Sequence, residues 1–258
     1  MKPFRCPTAD GVTIDGALFP AVAPERGVVV LAHGLPTAGP SPEAAADEGY
    51  PGLARRLTAL GYTTVLFNFR GTGASGGHLE IDRWPDDLGA VLDHLDRSPE
   101  RRSRYGVVGF SAGGAAAILR SAADERLDPL ITMAAPADYG FLPLNTNVAQ
   151  WFQLYRELGM IREGYSGTPE SWAAGFERVR PDRAIGSSRA RRLAIVHGTA
   201  DDLVPVAHAE RLAAAAGGRA EKILISGGIH QMRRDERAVA VLVDLLKRLV
   251  PAGGDGGA

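Results

Sequence analysis

The chain has 258 residues, 45% of them hydrophobic and 23% charged, the balance of an ordinary globular protein long enough for one domain. A formal net charge of −1 leaves no basic field to attract nucleic acid or acidic lipid. The single cysteine, Cys6, has no disulfide partner in the chain, the opening MKPFRCPTADG lacks the apolar core of a signal peptide, and no apolar run nears the roughly 20 residues of a membrane span. Together these features predict a cytoplasmic protein with no nucleic-acid or membrane partner.

Val12–Phe19 alternates and ends at Pro20, which suits an opening antiparallel strand or hairpin. Gly27–Ala32 (GVVVLA) is an unbroken β-branched run, the mark of a strand buried on both faces, and it stops at His33-Gly34-Leu35-Pro36. A turn-rich stretch follows over Thr37–Tyr50, and a helix is predicted over 52–60, ending at Gly61. The next strand, Tyr62–Phe69, runs into a glycine loop over Arg70–Gly77. Pro85–Arg97 reads as a helix with proline in its first turn and Leu88, Val91, Leu92 and Leu95 on one side.

Tyr105–Val108 is again apolar and β-prone, and a buried strand is predicted at Pro129–Ala134. Ala137–Ser188 then breaks the rhythm, with its own helix patterns at Val148–Gly159 and Glu170–Arg180. The closing elements are strands at Leu193–His197 and Glu221–Ser226, a helix over 206–216 and an amphipathic helix over Arg233–Leu249. Strands alternating with helices imply an α/β protein with a mostly parallel sheet wrapped on both faces. The expected organisation is a single domain over 1–250, with an insertion over about 137–188 and a disordered tail over 251–258.

Gly109-Phe110-Ser111-Ala112-Gly113 lies between the Tyr105 strand and an alanine-rich helix pattern. A turn this tight brings positions two before and two after the serine against neighbouring backbone, so both must be small. It thrusts the hydroxyl out at the carboxyl edge of the sheet, above the positive end of the helix starting at Ala112. This is the G-x-S-x-G arrangement of a nucleophilic serine, in the strand-to-helix context that such a motif requires. Gly71-Thr-Gly73-Ala-Ser-Gly76 also matches the dinucleotide fingerprint G-x-G-x-x-G in form. That fingerprint needs a helix opening directly on its glycines, whereas the next helix here waits until Pro85. His197, Asp201, Asp202 and His208 do not fall at metal-ligand spacing, so neither metal nor cofactor is expected.

A serine hydroxyl needs a base to take its proton. Among six histidines, His94 and His208 lie in helix patterns and His78 follows the glycine loop. His33 and His197 each precede glycine at a strand end, where a ring packs or bonds backbone. His230 lies just past the last strand, on the edge that presents Ser111. Asp201 and Asp202 follow the Leu193 strand on that same edge, and either could steer His230 or cap the helix at Val206. Capping is the reading for Asp202.

From His33-Gly34 through Asn68-Phe-Arg70-Gly71 and the serine turn to Asp201 and His230, the chain resembles an α/β-hydrolase over nearly its full length. The resemblance implies a small helical cap over the serine, made by the insertion. It also places the acid three residues after the glycine of a His-Gly turn and three before Val-Pro, which selects Asp201 over Asp202. It implies an oxyanion hole built from the backbone N–H groups of Leu35 and Ala112. Asn68 stands where the family usually has aspartate, and that loop is read as structural.

The expected function is a serine hydrolase that cleaves esters of short to medium acyl chains, with Trp151, Phe152, Tyr155 and Trp172 of the cap as substrate-binding candidates. Serine at the turn argues against dehalogenases and dienelactone hydrolases, whose resembling members use aspartate and cysteine. The alternative is an aminopeptidase-like serine peptidase, with Glu43, Asp47 and Glu48 gripping a substrate ammonium. A ligand-binding receptor on the same fold is a further alternative. The expected partner is a small-molecule ester, and oligomeric state is left open.

Overall fold

The structure is a computed structural model and describes residues 1–22, 24–36 and 49–250. The turn-rich stretch after Pro36, with Glu43, Asp47 and Glu48, lies outside the described residues apart from its last two positions, as does the expected tail over 251–258. Eight strands form one sheet: β1 (Lys2–Pro7), β2 (Thr13–Phe19), β3 (Gly27–Ala32), β4 (Tyr62–Phe67), β5 (Tyr105–Phe110), β6 (Leu127–Met133), β7 (Leu193–Gly198) and β8 (Ala220–Ile225). The spatial order is β1-β2-β4-β3-β5-β6-β7-β8. β1 and β2 form an antiparallel hairpin, β2 meets β4 antiparallel, and every later pairing is parallel.

Among the described residues, seven helices of two turns or more pack around it: α1 (Gly49–Ala59), α2 (Trp84–Asp96), α3 (Ala112–Ser121), α4 (Val148–Glu157), α5 (Pro169–Arg178), α6 (Ala207–Ala215) and α7 (Glu236–Leu249). Alternate residues of the central strands feed two cores. Val28, Val30 and Ala32 of β3 join Leu88, Ala115 and Leu212 on the face covered by α2, α3 and α6. Val29 and Leu31 join Leu53, Leu57, Leu242 and Leu246 on the face covered by α1 and α7. This is an α/β-hydrolase fold, with α4 and α5 inserted between β6 and β7.

Several boundaries differ from the sequence reading. β1 was not anticipated, because KPFRCP has two prolines and little apolar alternation; it is an edge strand, where proline is tolerated. β4 ends at Phe67, not Phe69, because the backbone leaves the sheet and the Phe69 N–H turns to the His33 ring at 3.2 Å. The last helix starts at Glu236 after a short 3₁₀ turn, with Asp235 capping it by accepting the Arg237 N–H at 2.9 Å.

The glycine loop after β4 is pinned from below by a buried ion pair. Arg70 donates through its backbone N–H (2.8 Å) and its Nε (2.9 Å) to Asp87 of α2, and through Nη1 to Asp10 (2.8 Å). Asp87 is fully buried, and that burial pushes its pKa up to about 6 against the pull of Arg70. Burial also opposes the Arg70 charge, but Asp10 and Asp87 outweigh it and push the guanidinium further up. No helix opens on the glycines, and the loop runs on to a 3₁₀ turn at Ile81–Arg83.

Candidate active site

β5 ends in the turn that holds Ser111, whose φ of 49° and ψ of −121° place a non-glycine residue in the left-handed half of backbone space. Such a conformation costs roughly 1–3 kcal/mol and persists only where the surroundings impose it. The Ser111 N–H donates to the Met133 carbonyl at 2.8 Å, and its carbonyl accepts the N–H groups of Gly114 and Ala115 at 2.9 and 3.2 Å. The two glycines of the motif are required by contact: a Cβ on Gly109 would lie 2.5 Å from the Gly114 Cα, and one on Gly113 would lie 2.3 Å from the Ala32 carbonyl oxygen. The β5–α3 turn is therefore clamped between β3, β6 and its own helix.

Two loops at the same sheet edge meet Ser111. His230 follows β8 and places Nε2 3.0 Å from the Ser111 Oγ. Its Nδ1 lies 2.9 and 3.1 Å from the two Asp201 oxygens, so the network assigns the proton to Nδ1 and leaves Nε2 to accept from the serine. Asp201 follows β7, and its Oδ1 also accepts the N–H groups of Leu203 (3.0 Å) and Val204 (2.8 Å). Burial alone would raise its pKa, but donors from His197, His230 and the Val204 amide outweigh it and hold the carboxyl well below the usual range. The loops that carry Asp201 and His230 touch directly: a Cβ on Gly198 would lie 2.2 Å from the Gly228 carbonyl oxygen, which accepts the Ala200 N–H at 2.9 Å.

Asp202 does not cap a helix. α6 starts at Ala207 with no side-chain cap, and the N–H groups of His208 and Ala209 bond the Pro205 and Val206 carbonyls at 2.9 and 3.0 Å. Asp202 is exposed and lies at the rim of the cavity.

The His33-Gly34-Leu35 turn closes the other side. His33 Nε2 accepts the Phe69 N–H at 3.2 Å, so its proton sits on Nδ1, which donates to the Gly34 carbonyl at 2.6 Å. Burial pushes the His33 pKa down, which keeps the ring neutral for this pairing. The Gly34 N–H donates to the Tyr50 hydroxyl at 3.2 Å, and a Cβ on Gly34 would lie 3.1 Å from the Ser111 Cβ. Leu35 and Ala112 flank Ser111 in the cavity wall, and the Ala112 N–H is one of the four at a helix start with no intrahelical acceptor.

Above these groups opens a cavity of about 770 Å³. Trp151, Leu154 and Tyr155 of α4 and Leu158 just after it line the cavity, opposite Phe110 and Met133 of the sheet. Of the four aromatics singled out in the insertion, Trp151 and Tyr155 thus reach the cavity. Phe152 and Trp172 do not: both are buried between α4 and α5, ring against ring at 5.7 Å, and the Trp172 indole N–H donates to the Leu79 carbonyl at 2.9 Å. They join the insertion to the body of the protein. Among the described residues no group of His, Cys, Asp and Glu could hold a metal ion, and no helix is long and apolar enough to cross a membrane.

The sequence reading did not single out His197 or Gly228 as parts of this site. His197 Nε2 lies 2.8 Å from the Val204 carbonyl and 3.2 Å from Asp201 Oδ2. Its place four residues before Asp201 was the available signal, but spacing along a loop does not reveal which way a ring turns.

The whole chain is similar in fold to several solved structures. One is an α/β hydrolase from Penicillium sp. (TM-score 0.73, 18% identity, 96% of this chain and 98% of that one). Another is an esterase of Pyrococcus furiosus (0.72, 20%, 96% and 91%). A third is an α/β serine hydrolase without a lid from Xanthomonas campestris (0.66, 22%, 98% and 96%). No curated protein sequence matches. The family model described as serine aminopeptidase, S33, matches residues 23–158, a stretch that takes in the His33-Gly34 turn and Ser111 and stops short of Asp201 and His230. With more than half of the sequence matched and the fold in agreement, the chain belongs to this serine aminopeptidase S33 family of α/β hydrolases.

Proposed function

We propose that the protein is a serine esterase acting on carboxylic esters of short to medium acyl chain, with Ser111, His230 and Asp201 as its catalytic triad. The observation that carries this reading is His230, which bridges Ser111 at 3.0 Å and Asp201 at 2.9 Å. Ser111 Oγ attacks the ester carbonyl carbon while His230 Nε2 takes its proton. Asp201 fixes the ring and balances the imidazolium charge. The N–H groups of Leu35 and Ala112 receive the oxyanion, each contributing roughly 3–4 kcal/mol in a well-formed site. His230 then protonates the leaving alcohol, and water, activated by the same ring, releases the acid from Ser111.

The apolar wall contributed by α4 supports an acyl group as the part that enters the cavity. In this reading the stretch over about 137–188 acts as a cap, the chain over 1–250 is one domain, and the activity needs no metal or cofactor. Turnover of p-nitrophenyl acetate, butyrate, octanoate and a long-chain ester tests it, each with wild type and Ser111→Ala. Faster turnover of the long-chain ester than of butyrate overturns the acyl preference, and ester turnover surviving Ser111→Ala overturns the mechanism.

The family description favours a second reading, an aminopeptidase. It needs a carboxylate to grip the substrate ammonium, and Asp202 at the cavity rim is the described residue placed for that task. Turnover of proline p-nitroanilide with weak ester activity would promote it. Saturable binding with no turnover of either substrate, and no labelling of Ser111 by a fluorophosphonate, would point to a receptor.

A further inference from the structure

We infer that His197 is a positioning residue that holds the Asp201 carboxylate toward His230, an inference that rests on reading Ser111, His230 and Asp201 as the triad. Four donors surround Asp201, and the His230 Nδ1 reaches both of its oxygens, at 2.9 and 3.1 Å. Backbone amides of Leu203 and Val204 hold Oδ1. Oδ2 faces two imidazoles, His230 at 2.9 Å and His197 at 3.2 Å. Without His197, the Oδ2 side would be anchored only by the ring that Asp201 has to orient.

The hydrogen-bond pattern fixes the state of His197. Its Nε2 faces a carbonyl, which only accepts, so Nε2 carries the proton and shares it between Val204 and Asp201. The ring is fully buried and, among the described residues, Nδ1 has no hydrogen-bond partner. A second proton there would bury a charged donor with nothing to receive it. One carboxylate thus faces two histidines: the His230 ring that also reaches Ser111, and the His197 ring that donates through Nε2. The other ionisable groups near the pair are His208 of α6, whose Nδ1 accepts the Ala137 N–H at 3.1 Å, Asp138 and Arg211 beside it, and the exposed Asp202.

The test compares His197→Gln, which keeps a neutral N–H donor at similar reach, with His197→Met, which keeps the bulk and removes the donor. The readout is the rate of Ser111 labelling by a fluorophosphonate from about pH 5 to about pH 9, alongside the thermal unfolding of each variant. His197→Met should slow labelling roughly 10- to 100-fold, the scale seen when an orienting partner of a functional ligand is lost. It should also move the acid limb upward by about half a unit to one unit, since Asp201 with one donor fewer holds the His230 imidazolium more strongly. His197→Gln should stay within about threefold of wild type with its limb unmoved.

A folded His197→Met protein that labels like wild type overturns the inference, as does His197→Gln falling as far as His197→Met. If His197→Met does not fold, ¹⁵N NMR of the wild-type imidazoles decides. The inference requires His197 to remain the Nε2–H tautomer across the limb in which His230 titrates, and a proton on Nδ1 there overturns it. Absence of labelling in wild type would instead remove the triad reading, a result distinct from either variant's failure.

Discussion

Two buried aspartates in this protein face opposite electrostatic outcomes. Asp87, under the glycine loop, has a full guanidinium partner in Arg70, yet burial raises its pKa to about 6. Asp201, at the sheet edge, has imidazole and amide donors, and its pKa falls well below the usual range. Both side chains are sealed from solvent. The difference lies in how deeply each carboxylate is packed and in how many donors converge on it. Among the described residues, Asp87 takes both its hydrogen bonds from one residue, Arg70, whose charge is shared with Asp10. Asp201 collects donors from Leu203, Val204, His197 and His230. At Asp87 burial outweighs its one guanidinium partner, and at Asp201 the converging donors outweigh burial. The first arrangement holds a loop in place, and the second keeps a charge available beside a histidine.

That contrast predicts opposite responses. At the chemical end, Ser111→Ala should lower kcat by roughly 10⁴–10⁶ while leaving far-UV circular dichroism and the unfolding midpoint near wild type. Asp201→Asn should lower kcat by about 10³–10⁴, and Asp202→Asn by far less. Equal losses at the two positions would remove the special status given to Asp201. At the structural end, Asp87→Asn should leave kcat of the folded protein within about threefold, because Asp87 holds the glycine loop and does not line the cavity.

The pH dependence of stability separates the two aspartates by sign. Asp201 has a depressed folded pKa, so its ionised form contributes stability above the unfolded value of about 4, and that contribution is lost as pH falls below it. The gap between wild type and Asp201→Asn should therefore narrow on acidification. Asp87 has a raised folded pKa, so the folded state binds a proton between about pH 6 and about pH 4 while the unfolded chain does not. Wild type should gain on Asp87→Asn across that window, by about 2–3 kcal/mol at most. Urea unfolding of the three proteins at several pH values checks both signs, and parallel trends would break the comparison.

Much of this was legible in the residues. The Ser111 turn announces itself because its glycines are dictated by backbone contact, and such contact leaves a spaced pattern. The positions of Asp201 and His230 after β7 and β8 follow from the sheet's direction, which puts every strand-to-helix loop of the parallel part on one edge. What could not be read depended on side-chain direction. Asp201 and Asp202 look alike in sequence until the amides of Leu203 and Val204 and the His230 ring are seen to turn toward Asp201. Trp151 and Phe152 are neighbours in sequence, yet one faces the cavity and the other packs under α5, because adjacent helical positions point about 100° apart. The pairing of β1 was hidden because its partners lie across a turn and its side chains carry almost no alternation.

The backbone at Ser111 has a consequence for the protein's thermal life. Its positive φ suits glycine and strains serine, so the residue proposed as the nucleophile is one that the fold would exchange for a more stable substitute. Ser111→Gly should therefore raise the unfolding midpoint, with a gain of roughly 1 kcal/mol, while abolishing turnover. Selection for durability and selection for activity pull this single position in opposite directions, and heat-tolerant inactive variants are the expected yield of any screen that scores survival alone.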